Sequence, residues 1–516
     1  MLTLTEQLQR AIRQTPHATA VIDHNQTDTW KAFGARVMSI AEALKAAGVA
    51  PGDRVTVLAG NSANYLACYF AIPWVGAITL PLNSRLSQSE MEYILQDADA
   101  RVVLTDDEFR EQAHALLDAD TPISQILSLS EANAGRVSED HFWASQPVSL
   151  EPTDVAALFY TGGTTGAPKG VMLTHGGLIN GGIIWAQCLK IPSDESILIA
   201  LPMFHLAAGL SALGGVFLGA QVAIEPRFDP PRLLQRIEAL RISMMVFVPA
   251  VLDMLIRTPE FNDFDTSSLK RISYGGAPMP APILERALEA LPRVAFYQIY
   301  GQTECGGMTS CLEPRYHTLD GPDASKRNTA GKVAIGMDFK ICDPESGDDL
   351  PPGTPGEVVI RGPSLTPGYW RAPDKTQDLF RDGWMRTGDV GRVDEEGFLT
   401  IVDRVKDMII SGGENIFAGE VENVLYTHAA IEECAIIGLP DDKWGERVHA
   451  VIRLKPGETL SADAIMEYCR GRIADYKVVR SVDFTDEALP RSPINKVLKR
   501  VLRDRNMAKA PQIMDY

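Results

Sequence analysis

The sequence predicts an α/β protein: a large N-terminal domain of mostly parallel sheets with helices, including a small β-barrel, and a small α+β C-terminal domain. Three observations predict it. Short apolar, β-branched or aromatic runs alternate with helix-length segments up to Asp343, the pattern of parallel strands joined by helical crossovers. From Asp343 the texture turns to Pro, Gly and acids around an alternating run, as in turns and antiparallel hairpins. After Asp403-Arg404 helix and strand alternate again. The boundary falls at 403–406, leaving residues 1–402 as the N-terminal domain and 407–516 as the C-terminal domain.

Taken in order, Arg54–Ala59 reads as a buried strand, with a helix from about Ser62 to Val75. Arg101–Thr105 is a strand, and Val155–Tyr160 is another that runs into a Gly/Thr loop. Met244–Val248 and Ala295–Tyr300 repeat the theme. Glu357–Arg361 is the alternating run of the turn-rich region, and Val448–Leu454 and Ser481–Phe484 are strands of the last domain. Glu195 to Glu225 encloses a stretch without Lys, Arg, Asp or Glu, long enough to span a bilayer. Pro202, His205, Gly209, Gly214, Gly215 and Gly219 interrupt it, so a buried strand and core helix are expected there and no transmembrane segment.

Composition narrows the function classes. The 516 residues carry 67 acids against 49 bases, a net charge of −18, which argues against a nucleic-acid binder. The seven cysteines are scattered and none forms a C-x-x-C pair, so neither a zinc site nor a disulfide framework is expected. Reduced thiols and an N-terminus without a secretory pattern indicate a cytoplasmic protein.

The strongest chemical signal runs from Tyr160 to Gly170, YTGGTTGAPKG, with four glycines, three threonines and one lysine after a predicted strand. Glycines let backbone N–H groups turn toward an anion, threonine hydroxyls add donors and Lys169 adds charge. Thr161, Gly163, Thr164, Thr165, Gly166 and Lys169 thus suit a triphosphate cradle. A Walker A loop is excluded, because Lys169 follows Pro168 and no Ser or Thr follows it.

This loop, with four further motifs in order, resembles the adenylate-forming superfamily of acyl-CoA synthetases, adenylation domains and luciferases. The resemblance covers about Leu8 to Arg503. Its phosphate loop usually has Ser where this chain has Gly162. In the segment resembling Tyr300-Gly301-Gln302-Thr303-Glu304, the resemblance implies that the aromatic ring packs on adenine, Thr303 touches the α-phosphate and Glu304 helps hold Mg²⁺. Mg²⁺ prefers hard oxygen ligands and shares phosphate oxygens, so a carboxylate there is chemically sensible. Gly276, Ala277 and Pro278 join the nucleotide site by the same resemblance. Arg386-Thr-Gly-Asp389 resembles the ribose-binding motif. In the segment from Asp403 to Asn415, the resemblance makes Arg404 a nucleotide contact, Lys406 the pivot, and Gly412 and Gly413 the lining of the pantetheine tunnel. Pro490 to Lys496 resembles the segment carrying the catalytic lysine, with Ile494-Asn495 where Ser-Gly is common. Lys499 and Arg500 are close competitors for Lys496.

The resemblance implies a two-step reaction: ATP and a carboxylic acid give acyl-AMP and pyrophosphate, and the acyl group then passes to coenzyme A. The cofactors are ATP, Mg²⁺ and CoA. The C-terminal domain would be mobile, and family members are often homodimers. Pro202 to Gly209 resembles one wall of the acyl pocket, with Phe204, Ala208 and Gly209 in it and His205 as gate; a hydrogen-bonded core histidine is the plain alternative. Gly275, Gly306, Gly307 and Met308 would form other walls, the glycines leaving room for a long chain or an aromatic ring. No acid lies between Glu195 and Glu225 to pair an amine, which disfavours amino acids. A hydrophobic monocarboxylate is expected: a medium- or long-chain fatty acid, with an aryl acid as the alternative that the Asn495-Lys496 pair favours. Trp444 matches a position near the CoA channel, or simply anchors a turn.

Overall fold

The computed structural model describes residues 3–509, apart from 25, 135–136, 139–140, 162–166, 278, 405–407, 412–413, 442, 471 and 492–496; the side chains of 134, 141, 404, 414, 415, 508 and 509 are not described either. The chain divides into two compact units, one of 1–163, 167–339 and 360–385, the other of 340–359 and 386–516.

The first unit holds two sheets. In the six-stranded one, Gln125–Ser128, Val102–Thr105, Arg54–Leu58, Ile78–Pro81 and Val155–Thr161 run parallel, in that order, and Lys169–Thr174 pairs antiparallel with the last. The nine-stranded one has a parallel centre, Ala295–Tyr300, Arg271–Gly275, Met244–Phe247, Ser196–Ile199, Gln221–Ile224 and Thr19–Asp23, with antiparallel strands at both edges. The predicted strands fall where the apolar runs put them, because a strand covered on both faces must be apolar throughout. The first predicted helix is Ala63–Trp74, started by Ser62, whose hydroxyl accepts from Tyr65 N.

The uncharged stretch folds as strand Ser196–Ile199, helix Leu206–Leu218 and strand Gln221–Ile224, the helix ending at Gly219 with φ 73°. Its bounding acids are buried and paired, Glu195 with Arg271 at 3.0 Å and Glu225 with Arg232 at 2.6 Å and Arg236 at 2.7 Å. Among the described residues no helix is long and apolar enough to cross a membrane.

The turn-rich region gives the small curled antiparallel sheet, five strands with Asp338–Cys342, Gly356–Arg361, Trp384–Val393 and Phe380–Arg381 in order and Leu399–Arg404 on the third of these. The rest of the second unit is α+β. A long hairpin, Ile431–Asp441 with Gly445–Leu454, carries Ile409–Ser411 and Ser481–Phe484 on its second strand. Helices Ala418–Leu425 and Ala462–Cys469 close over a core that includes Ile416, Val421, Ile436, Val448 and Ile465. All seven cysteines are free thiols.

Two buried imidazoles, His175 and His317, tie parts of the first unit together. His175 Nδ1 accepts from Leu4 N at 3.2 Å. His317 Nδ1 lies 3.1 Å from the Glu313 carbonyl, so it must donate there, leaving Nε2 to face the Tyr274 hydroxyl at 2.9 Å. Burial pushes His175, His205 and His317 from 6.5 down to about 4. A folded value below the unfolded one means that protonation favours unfolding. The stability these groups contribute is therefore whole above pH 6.5 and is lost as pH falls toward 4. At pH 5 each group costs about 2 kcal/mol. The apparent melting temperature is expected to fall by several degrees between pH 7.5 and pH 5, and less steeply in His317→Asn; a pH-independent melting temperature over that range would contradict the assignment.

Candidate active site

Parallel strands bring their C-terminal ends to one edge of the sheet, where open α/β sheets bind ligands. In the nine-stranded sheet Gly275 pairs with Ile299, so Gly276 and Ala277 leave that edge beside Tyr300, Gly301 and Gln302. The strand Ser196–Ile199 ends at the same edge and leads into Pro202–His205. The nucleotide-type and acyl-type segments thus emerge from one edge. Pro278 lies outside the described residues.

Thr303 and Glu304 form a one-turn 3-10 helix ended by Gly306 at φ 66°. Glu304 is only 9% exposed. Its Oε1 accepts from the Tyr369 hydroxyl at 3.0 Å, and its carbonyl accepts from Thr366 N at 2.9 Å. Burial first, then the Glu304 carboxylate, raises the Tyr369 phenol far above its ordinary range, so the hydroxyl remains a donor. The other face of the chemistry is Lys169, whose Nζ lies 4.8 Å from the centroid of the same ring. Lys169 pairs in register with Thr161 across the hairpin that frames the phosphate loop, and the hairpin is fixed by Tyr160, which donates to Asp97 at 2.6 Å. Gly163, Thr164, Thr165 and Gly166 lie outside the described residues. No three His, Cys, Asp or Glu among the described residues could hold a metal, so a metal at Glu304 would rely on phosphate and water oxygens, which suits Mg²⁺.

On the acyl side, Met203 is held by residues that the motifs do not include. Asn61 Oδ1 accepts from Met203 N at 2.8 Å, its amide donates to Leu201 O at 2.9 Å, and Tyr69 donates to Met203 O at 2.7 Å. His205 is the N-cap of helix Leu206–Leu218 and packs on Phe204 with ring centroids 4.6 Å apart. Its Nε2 is buried with no hydrogen-bond partner among the described residues, unlike a satisfied core histidine.

At the glycines expected to line the acyl pocket, the Cβ direction itself is occupied. A Cβ on Gly209 would lie 2.8 Å from Tyr69 Oη, on Gly275 2.5 Å from Ile299 O, on Gly306 2.0 Å from Ser364 O and on Gly307 2.5 Å from Leu210 Cδ2. These positions are glycine because neighbouring atoms already fill the Cβ space. Helices His175–Cys188 and Leu206–Leu218 also pack closely at glycines: a Cβ on Gly182 would lie 2.8 Å from Phe217 and one on Gly214 2.8 Å from Trp185. Met308 and Ala208 are buried.

In the second unit, Asp389 is buried and stands directly across the sheet from Arg404 in antiparallel register, so two of the expected nucleotide contacts are cross-strand partners. Glu357, which motif reading missed, organises this turn: it accepts from Arg386 Nε at 2.8 Å and from Gly388 N at 3.1 Å. Trp444 sits in the hairpin turn, Asp441 Oδ1 accepting from its backbone N at 3.1 Å. Its ring lies between Lys443 at 4.7 Å and Arg480 at 4.5 Å. Lys406, Gly412, Gly413 and Lys496 lie outside the described residues. The residues flanking Lys496 are paired, with Arg491 bridged to Val497 and Leu498 N donating to Pro490 O at 2.8 Å. Glu433 anchors them, accepting from Leu489 N at 3.1 Å and pairing with Arg491 and Arg453. Lys499 is committed elsewhere, to Glu422 at 2.9 Å.

Residues 8–370 match the AMP-binding enzyme family, and residues 420–496 match the AMP-binding enzyme C-terminal domain. The chain belongs to this adenylate-forming family. It is 39% identical over 497 residues to a feruloyl-CoA synthase of Amycolatopsis sp, covering 96% of this chain and 97% of that one. It is 35% identical to a long-chain-fatty-acid–CoA ligase of Mycobacterium tuberculosis, covering 94% of each. The o-succinylbenzoate CoA synthetase of Bacillus subtilis, solved with its acyl-adenylate intermediate, superposes with a TM-score of 0.85 at 32% identity, covering 98% of this chain and 99% of that one. With these relatives, the chain is an AMP-forming acid–CoA ligase, an enzyme class that uses ATP, Mg²⁺ and CoA.

Proposed function

We propose that the enzyme activates a compact aromatic monocarboxylate, of the arylpropenoic or benzoic type, rather than the medium- or long-chain fatty acid that the sequence favoured. The observation that carries this reading is the filled glycine wall, with Leu210 against Gly307 and backbone against Gly275 and Gly306. A flat ring needs less depth than an extended chain, and Phe204 and His205 offer it an edge or face to pack on. The relative at 39% identity, named for feruloyl-CoA, supports it; the long-chain ligase at 35% keeps the fatty acid as the second reading.

In the proposed chemistry a carboxylate oxygen attacks the α-phosphorus of ATP, the bond to the bridging oxygen breaks and pyrophosphate leaves. Lys496 neutralises charge between the two anions, while Lys169, Thr161 and the phosphate loop hold the β- and γ-phosphates. Bound Mg²⁺ would supply charge neutralisation of phosphate oxygens, with Glu304 as its protein ligand. Tyr300 packs on adenine, and Asp389 with Arg404 fixes the ribose. In the second step the CoA thiol, losing its proton, attacks the acyl carbon and AMP leaves. Gly412, Gly413 and Trp444 line the CoA path, and the hinge at 403–406, with Lys406 as pivot, separates the two steps. Free thiols support a cytoplasmic setting.

The test is pyrophosphate release from purified enzyme with hydroxycinnamic, benzoic and C8–C18 fatty acids, with and without CoA, and thioester identified by mass spectrometry. An aromatic acid is expected to exceed every fatty acid in kcat/KM by at least about tenfold. A preference for C12–C18 acids would overturn the aromatic assignment.

A further inference from the structure

We propose that Tyr369 is a positioning residue of the nucleotide site, its single ring linking the carboxylate of Glu304 to the ammonium of Lys169. This rests on the roles proposed above for those two charges and goes beyond them. The hydroxyl holds one carboxylate oxygen at 3.0 Å while the ring lies 4.8 Å from the lysine nitrogen.

The segment that carries Tyr369 is pinned on both sides. Trp370 N donates to Gly170 O at 2.7 Å and Met172 N to Gly368 O at 3.1 Å, which lays it along the strand that begins with Lys169. Thr366 N donates to Glu304 O, and Thr366 Oγ1 to Met172 O at 2.7 Å, which ties it to the turn of Glu304. Tyr369 N donates to Thr376 Oγ1 at 2.9 Å, and Gly368, at φ 142°, brings the chain against Thr376, leaving no room for a Cβ. The ring is buried, so its place is set by this frame rather than by ligand.

The chemistry explains why a tyrosine suits the place. A direct Lys–Glu ion pair would hold both charges against each other and away from phosphate and metal. A ring face attracts an ammonium only weakly, so it orients the lysine yet releases it to a phosphate. A single hydroxyl fixes the carboxylate plane through one oxygen and leaves lone pairs for a cation.

The experiment measures ATP affinity by calorimetry, with and without Mg²⁺, for wild type, Tyr369→Phe, Tyr369→Leu and Glu304→Gln, beside melting temperatures. Tyr369→Phe keeps the ring and is expected to reduce the Mg²⁺-dependent gain in ATP affinity by about three- to tenfold, leaving Mg²⁺-free affinity within about twofold. Tyr369→Leu is expected to weaken Mg²⁺-free binding as well, by about threefold. In the Glu304→Gln background, Tyr369→Phe should add nothing to the loss of the Mg²⁺ gain. If Tyr369→Phe lowers only the melting temperature while Glu304→Gln abolishes the gain, Tyr369 is structural and the inference falls alone. If Glu304→Gln leaves the gain intact, the metal role of Glu304 falls, and the inference falls with it.

Discussion

Replacing Lys496 with alanine is expected to lower acyl-adenylate formation by about 10²–10³-fold, the scale of losing one preorganised charge from a transition state. Thioester formation from supplied acyl-AMP should stay within about threefold of wild type, because that step no longer brings two anions together. The neighbouring cation cannot substitute easily. Lys499 starts helix Lys499–Lys509 and is already paired with Glu422. The flanks of Lys496 are fixed as well, by the Arg491–Val497 bridge and by Glu433, whose carboxylate, despite burial, is held below its ordinary value by Arg491 and the Leu489 amide. Rapid-quench assays of the two half-reactions decide the matter: equal losses in both would remove Lys496 from the first step and return it to a general structural role.

Central strands of the first unit were legible because burial on both faces forces uninterrupted apolar runs, as in Met244–Phe247 and Val102–Thr105. Lys169 stood out in the sequence because glycines, threonines and a lysine crowd one loop after a strand, whereas Glu304 and Asp389 were singled out only through the resemblance of their motifs to the family's. What stayed hidden depends on contacts across long stretches of chain. Tyr369 meets Glu304 across 65 residues, and Asn61 meets Met203 across 142, so neither pairing leaves a local pattern. The Pro367-Gly368 turn before two aromatic residues was the only local sign that Tyr369 faces inward. Glycines misled in a specific way. A missing side chain signals either open space or a crowded neighbour, and the sequence is the same in both cases. Here a Cβ on Gly276 would meet Val248 at an ordinary contact distance of 3.6 Å, while one on Gly306 would lie 2.0 Å from Ser364 O.

That distinction yields the second large effect, in Gly301→Ala. A Cβ on Gly301 would lie 1.9 Å from Gly307 O and 2.9 Å from Gly307 C, both backbone atoms that no rotamer change can move. The chain between them is the turn of Thr303 and Glu304, so relief must come from opening that turn. Overpacking of this kind costs roughly 1–3 kcal/mol or somewhat more in stability. The larger consequence is kinetic, since a shift of about 1 Å at reacting groups can lower a rate by 10²-fold. Gly301→Ala is therefore expected to fold, to melt a few degrees lower, and to lose about 10²-fold in adenylate formation with a raised KM for ATP. Gly276→Ala is the control on the same sheet edge: its φ of 77° strains an alanine by about 1–2 kcal/mol, but nothing blocks the side chain. Its adenylation should fall by less than about tenfold. If Gly301→Ala retained wild-type kcat and KM for ATP, the close approach of Gly307 would have no part in shaping the site. If Gly276→Ala were the more damaged of the two, backbone conformation rather than crowding would govern this edge.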